Sequence, residues 1–180
     1  MHTYTLLPKE DTAHQIEVSV RQNSDHITFE FRGEGSFNEL EWPPKENQSM
    51  FTDNLWLSTV FEVFFQYEGV EKYEEWNFSP SGNWAHYEFL KYREGMKAIN
   101  QKASPDIFIK EKSKKSFHLV AKIPKKAVST VATKGEIKLG ICAILLFENG
   151  AKTHWALQHS YEKPDFHNSD TFAGLLTLHS

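Results

Sequence analysis

Cysteine occurs once, at Cys142, so neither a disulfide framework nor a cysteine-ligated zinc site can be built from this chain alone. The thiol lies in the apolar run Ile141-Cys-Ala-Ile-Leu-Leu146 with no basic activator beside it. It reads as a small buried hydrophobe rather than a nucleophile. Long hydrophobic runs are missing too: no stretch reaches the roughly 20 apolar residues that a membrane helix needs, which predicts no membrane partner. Positive charge is not in excess, with 20 Lys+Arg against 24 Asp+Glu, a formal charge of -4 and a pI near 6.1. That leaves no basic face to neutralise a phosphate backbone, and no nucleic-acid partner is expected. The N-terminal Met1-His-Thr-Tyr-Thr lacks the charged-then-apolar pattern of an export signal, so the expectation is a soluble, cytoplasmic protein. Gly-rich phosphate loops, Gly-x-Ser-x-Gly elbows and Cys-x-x-Cys pairs are all absent, and the expectation is a protein without catalytic residues.

Aromatic residues, by contrast, make up 14% of the chain, with Phe at 14, Tyr at 6 and Trp at 5. Rings favour strands and leave material for a binding surface. The 180 residues fit one domain spanning the whole chain, with no internal repeat or linker. Most regular segments alternate with period two. In His14–Arg21 the apolar positions are Ile16, Val18 and Val20; in Asp25–Arg32 they are Ile27, Phe29 and Phe31, and Asn23-Ser-Asp between the segments makes a hairpin turn. Residues Gly33–Asn54 are polar, contain Pro43-Pro44 and show no period, which predicts a long loop across one end of the fold. Thr59–Gln66 is apolar on both faces except at Glu62. Tyr73–Ser79 and Trp84–Leu90 form a hairpin around Pro80-Ser-Gly82, where proline fixes φ and glycine admits a positive one.

Tyr92–Ala103 reads as a short helical or irregular excursion, and Pro124–Val131 as one short helix with proline at its first position. Further strands are expected at Ile107–Lys112, Phe117–Ile123, Glu136–Phe147, Lys152–Gln158 and Leu175–Leu178. Strands spaced by turns predict an all-β, two-sheet antiparallel sandwich of jelly-roll-like form with one or two short helices; a closed barrel is the alternative.

Glu62 shares its face with Val60 and Phe64, where a carboxylate is costly unless paired. It is either linked to an arginine such as Arg93 or contacts a ligand or metal at the sheet face. Acid catalysis on a glycoside would need a second carboxylate about 5 to 10 Å away; Glu75 is a candidate, but sequence spacing does not set that distance. Asn77, Ser79 and Ser81 supply amide and hydroxyl groups beside Trp76 and Trp84, a combination that suits a sugar's apolar faces and its hydroxyls. Trp76 shares a face with Phe78 and is expected in the core, and the serines can equally cap the turn. Trp56 follows a polar loop and either packs or lines a pocket mouth. His154, His159, His167, Asp165 and Asp170 crowd one neighbourhood, yet their spacing matches no zinc or calcium pattern, so a hydrogen-bonded loop pinning the last strand is expected rather than a metal site.

Taken in order, Leu55-Trp-Leu-Ser-Thr-Val-Phe-Glu62, Tyr73-Glu-Glu-Trp-Asn-Phe-Ser-Pro-Ser-Gly-Asn-Trp84, Tyr92-Arg-Glu-Gly-Met96, Trp155-Ala-Leu157 and Lys163-Pro-Asp-Phe-His167 resemble the DOMON-like bacterial proteins related to family-nine carbohydrate-binding modules. The resemblance runs from about Asn54 to Leu178. It implies a sandwich with a ligand site on one concave face, binding a saccharide or sugar-bearing metabolite or, in some branches, haem for electron transfer. It places Trp56, Glu62, Asn77, Trp84, Arg93, Trp155, His159 and His167 in or near the signature segments and so among the expected ligand contacts. Sugar-binding relatives clamp the ring between two tryptophans. Haem-binding relatives use a methionine with a histidine or lysine, for which Met50, Met96 and His159 are the candidates; no cofactor is otherwise expected.

Overall fold

The computed structural model describes residues 1–67, 69–100, 103–128 and 136–177. Its strands are β1 (His2–Pro8), β2 (Gln15–Gln22), β3 (His26–Glu34), β4 (Val60–Tyr67), β5 (Tyr73–Phe78), β6 (Trp84–Phe89), β7 (Lys97–Ala98), β8 (Asp106–Lys112), β9 (Ser116–Pro124), β10 (Glu136–Leu146), β11 (Lys152–Ala156) and β12 (Gly174–Thr177). Every ladder between them is antiparallel, along the path β7-β6-β5-β4-β10-β11-β1-β2-β3-β9-β8. One edge of the long β10 serves two partners in succession, β12 over Glu136–Leu139 and β11 over Cys142–Leu146.

This path curls on itself into the all-β sandwich. One layer is β8-β9-β3-β2-β1, the other β11-β10-β4-β5-β6-β7, and β1 joins them by pairing with both β2 and β11. Alternation decides what lies between the layers. Val18, Phe29, Phe31, Leu119 and Ile123 of the first face Phe61, Val63, Phe65, Trp76 and Phe78 of the second in one buried cluster. Phe31 meets Phe61 at 4.9 Å between ring centroids, and Phe29 meets Phe65 edge-on at 6.0 Å.

The expected strands are present with ends shifted by a residue or two, Leu178 lying outside the described residues, and the Gly33–Asn54 stretch is a long loop beyond Glu34, tied to the sheet by isolated bridges at Leu40 and Phe51 and by backbone hydrogen bonds from Gly35, Phe37, Glu41 and Glu46. Of the two readings of Tyr92–Ala103, helical or irregular, the described residues show the irregular one: a tight turn at Lys91–Glu94 followed by the two-residue β7, with Gln101 and Lys102 outside the described residues. Two things differ. β1 carries no alternating signal because only Leu6 of it is buried. The expected helix at Pro124–Val131 is a single 3-10 turn, Lys125–Ala127, with Pro124 capping it; Ser129–Val131 lie outside the described residues.

Gly33 illustrates how tightly the inner face is filled. It continues the inward series of Phe29 and Phe31, opposite Phe117 of β9, and a Cβ built on it would sit 2.0 Å from the Phe117 ring. That ring is hemmed in by Phe37, Trp42 and Phe61 at 5.0–5.5 Å. Gly33→Ala is therefore expected to lower stability by about 1–3 kcal/mol through overpacking, measurable as a reduced urea midpoint with an unchanged slope.

Candidate functional site

The layer containing β4 is buried on both faces. Odd-numbered residues of β4 enter the inter-sheet core, while Glu62 and Phe64 point the other way into a second cluster with Tyr73, Ala85, Tyr87, Phe89, Cys142, Ala156 and Phe172. The loops at 51–57 and 164–172 fold over this outer face, supplying Phe51, Trp56 and Phe166. Between loops and sheet lies a cavity of about 620 Å³, within the range of small-molecule sites.

Its floor is acidic. Glu62 stands opposite Asn77 on β5 and Cys142 on β10, and Glu75 stands opposite Phe64 and Tyr87. The two glutamates are thus diagonal neighbours on adjacent strands, 3% and 4% exposed. Asn77 Nδ2 donates to Glu75 Oε1 at 2.7 Å, and the Cys142 thiol donates to Glu62 Oε2 at 3.4 Å. Burial, reinforced by the Glu75 charge, pushes the Glu62 carboxyl up to about 8 despite the thiol contact. Burial also raises Glu75, to about 7, against the opposing pull of the Asn77 hydrogen bond and the Arg93 charge.

The walls are largely aromatic. Trp56 and Tyr87 meet edge-on at 6.1 Å, and Phe89, Phe166 and Met96 complete the apolar lining. Tyr87 is oriented by its hydroxyl, which donates to Asp53 at 2.7 Å, and the Trp56 carbonyl accepts from Lys152 Nζ at 3.2 Å. Arg93, in the left-handed region at φ 53°, reaches from the rim to Asp165 at 3.0 Å, and Tyr92 donates to the same carboxylate at 2.7 Å. Burial alone would raise Asp165, but these two donors hold it below the usual range.

His167 closes one side. Burial, aided by the Arg93 charge, lowers it to about 4, so the ring is neutral near pH 7. The Tyr73 hydroxyl accepts from the Arg93 backbone N–H at 3.2 Å and shares a hydrogen bond with His167 Nδ1 at 2.8 Å. Nε2 of the same ring lies 3.7 Å from Glu75 Oε2; with a neutral ring this is not an ion pair. A second cavity of about 510 Å³ lies beyond His167 and Lys163, which line both.

Of the residues expected at a site, Trp56, Glu62, Arg93 and His167 line the larger cavity, and Asn77 lies in its floor behind Glu75. Trp84 and Trp155 are elsewhere, both in the inter-sheet core. Trp84 pairs with Phe78 and stacks on Trp76, and Trp155 pairs with Ala143 and donates its indole N–H to Thr153 at 2.9 Å. Strand parity puts both tryptophans on the face opposite Glu62, so they form no clamp across this cavity. His159 turns away and bonds the Leu7 carbonyl at 2.9 Å, tying the C-terminal segment to β1. Arg93 hydrogen-bonds Asp165 and not Glu62. Ser79 and Ser81 cap the turn between β5 and β6.

Of Met50, Met96 and His159, only Met96 lines the cavity. Among the described residues no group of three or more His, Cys, Asp and Glu side chains is arranged to hold a metal ion, and no helix is long and apolar enough to cross a membrane. Glu75, a candidate second carboxylate in the sequence, is brought beside Glu62, whereas Tyr87, Phe89 and Phe166 carry no site signal in the sequence taken residue by residue. Tyr87 and Phe89 follow from carrying Glu62's parity across two hairpins; Phe166 belongs to an aperiodic loop and has no such signal.

The fold is similar to that of two proteins of known structure. A Bacteroides uniformis protein for which carbohydrate binding has been suggested superposes with a TM-score of 0.69 at 14% identity, over 98% of this chain and 86% of its own. A family-nine carbohydrate-binding module from Caldicellulosiruptor kristjanssonii, in complex with cellotriose, gives a TM-score of 0.51 at 7% identity, over 87% and 72%. No family model matches the sequence, and no curated protein matches it.

Proposed function

We propose that this concave outer face binds a saccharide without transforming it, as a relative of the DOMON-like and family-nine carbohydrate-binding proteins. The observation that carries the reading is the pairing of aromatic walls, Trp56, Tyr87 and Phe166, with a floor of hydrogen-bonding carboxyls that the sheet holds rigid. A pyranose has apolar C–H faces for the rings and a girdle of hydroxyls for the carboxyls. The neighbours of similar fold, one of them seen with a bound cello-oligosaccharide, support the same reading.

Binding rather than hydrolysis follows from where the acids stand. Glycosidases place two carboxyls on opposite sides of the scissile bond, one ionised and one protonated. Here both lie on one floor beneath the guest, and burial raises both.

Calorimetric titration with mono- and disaccharides at millimolar concentration tests the proposal, and no heat or thermal shift with any of them would overturn it. Trp56→Ala is expected to weaken binding about tenfold, equivalent to about 1.4 kcal/mol, while leaving the melting temperature near wild type because the side chain is only half-buried.

A further inference from the structure

With its carboxyls ionised, the floor of the cavity has acceptors to spare and few donors. Glu62 receives one contact, from a thiol, and Glu75 receives Asn77's amide N–H. The Asn77 side-chain oxygen is fully buried and has no hydrogen-bond partner, because its amide nitrogen is committed to Glu75. Two carboxyls thus line one side of an aromatic-walled cavity, with an unpartnered amide oxygen buried behind them.

Cations nearby are largely engaged. The Arg93 guanidinium acts on Glu75 through space but gives its hydrogen bond to Asp165, and the His154 ring is bonded to Glu10 at 2.7 Å. Lys163 stands exposed at the rim, and His167 is neutral beside Glu75. Two carboxyls without a hydrogen-bonded cation are an expensive feature for a fold to keep. The missing partner is a guest that brings donors, positive charge and no acceptor at the point of contact, which describes an ammonium group. The rings of Trp56, Tyr87 and Phe166 add attraction for the same charge.

We infer that the site selects saccharides that carry a free amino group, with the ammonium held between Glu62 and Glu75 and the sugar ring against the aromatic wall. This rests on the saccharide reading above and names its ligand class. Binding expels protons that the raised carboxyls hold near neutral pH, so affinity peaks between the pH at which the glutamates ionise and the pH at which the amine loses its charge.

The test is calorimetry at pH 7 with glucosamine, galactosamine and mannosamine against their N-acetylated forms and the parent hexoses. At least one amino sugar is expected to bind tenfold or more tightly than its neutral counterparts, with heats that differ between phosphate and Tris buffers because protons are released. Glu62→Gln and Glu75→Gln, each checked for an unchanged fold by circular dichroism, are expected to bring that preference within about threefold of unity. Hexoses binding as well as their amino forms would overturn the amine assignment and leave the saccharide reading intact. Cyclohexylamine binding as tightly as the amino sugars would keep the ammonium contact but remove the sugar, and silence from every ligand would remove both.

Discussion

Replacing Trp155 by alanine is expected to lower the unfolding free energy by about 3–5 kcal/mol, enough to consume a large part of a domain's stability. The side chain is fully buried on β11, in the cluster between the two layers, and its indole N–H is satisfied by Thr153. Its strand also joins the layers, pairing with β10 on one edge and with Leu7 and Pro8 of β1 on the other. Truncation opens a cavity at that seam, where the paired backbones on either side restrict collapse into the space. Guanidinium unfolding followed by tryptophan fluorescence and circular dichroism measures the effect. A variant with wild-type stability and lost sugar affinity would mean that β11 is shifted in register by one residue, exchanging its two faces.

Raising the pH from about 6.5 to 8 is expected to destabilise the protein, by an amount on the order of several kcal/mol at most. Glu62 and Glu75 are raised in the folded state, so the native protein binds more protons than the unfolded chain between the ordinary carboxyl range and about pH 8. Their contribution is fully present at low pH and lost as pH rises through the folded values. His167 works in the opposite direction: its folded value is lowered to about 4, so its contribution is present above the ordinary histidine value and lost as pH falls. The two effects oppose one another between about pH 4.5 and 6.5, and only the glutamates act above that window. Urea midpoints at half-unit pH steps would show the decline, and Glu62→Gln should flatten it and raise stability at pH 8. A profile that is flat or rising from 6.5 to 8 in the wild type would show that the carboxyls are already ionised in the fold.

These two effects come from opposite faces of the same layer, which is also where sequence and structure part company. Alternation in Thr59–Gln66 correctly set Glu62 apart from its apolar neighbours, and the Pro80-Ser-Gly82 turn correctly joined β5 to β6. The turn fixed the register of that hairpin, so the parity that carries Glu75 and Tyr87 to Glu62's face was already present in the order of residues. Trp84 and Trp155 stand in signature segments that suggest ligand contact, but strand parity turns both away from Glu62. Both lie on the inner face, where the large rings fill space between the layers.

Local features follow from the order of residues alone: period-two segments, their turns and the two-faced burial of β4 are all set by interactions between residues close along the chain. Which layer received each strand, the joining of both by β1, and the folding of the 164–172 loop over Glu62 and Glu75 were decided only in three dimensions. Pairings such as Leu7 with Ala156 and contacts such as His167 with Tyr73 connect distant parts of the chain, and no periodicity encodes them. The cavity exists because those long-range contacts close simultaneously, and the raised carboxyls follow from the burial that this closure imposes.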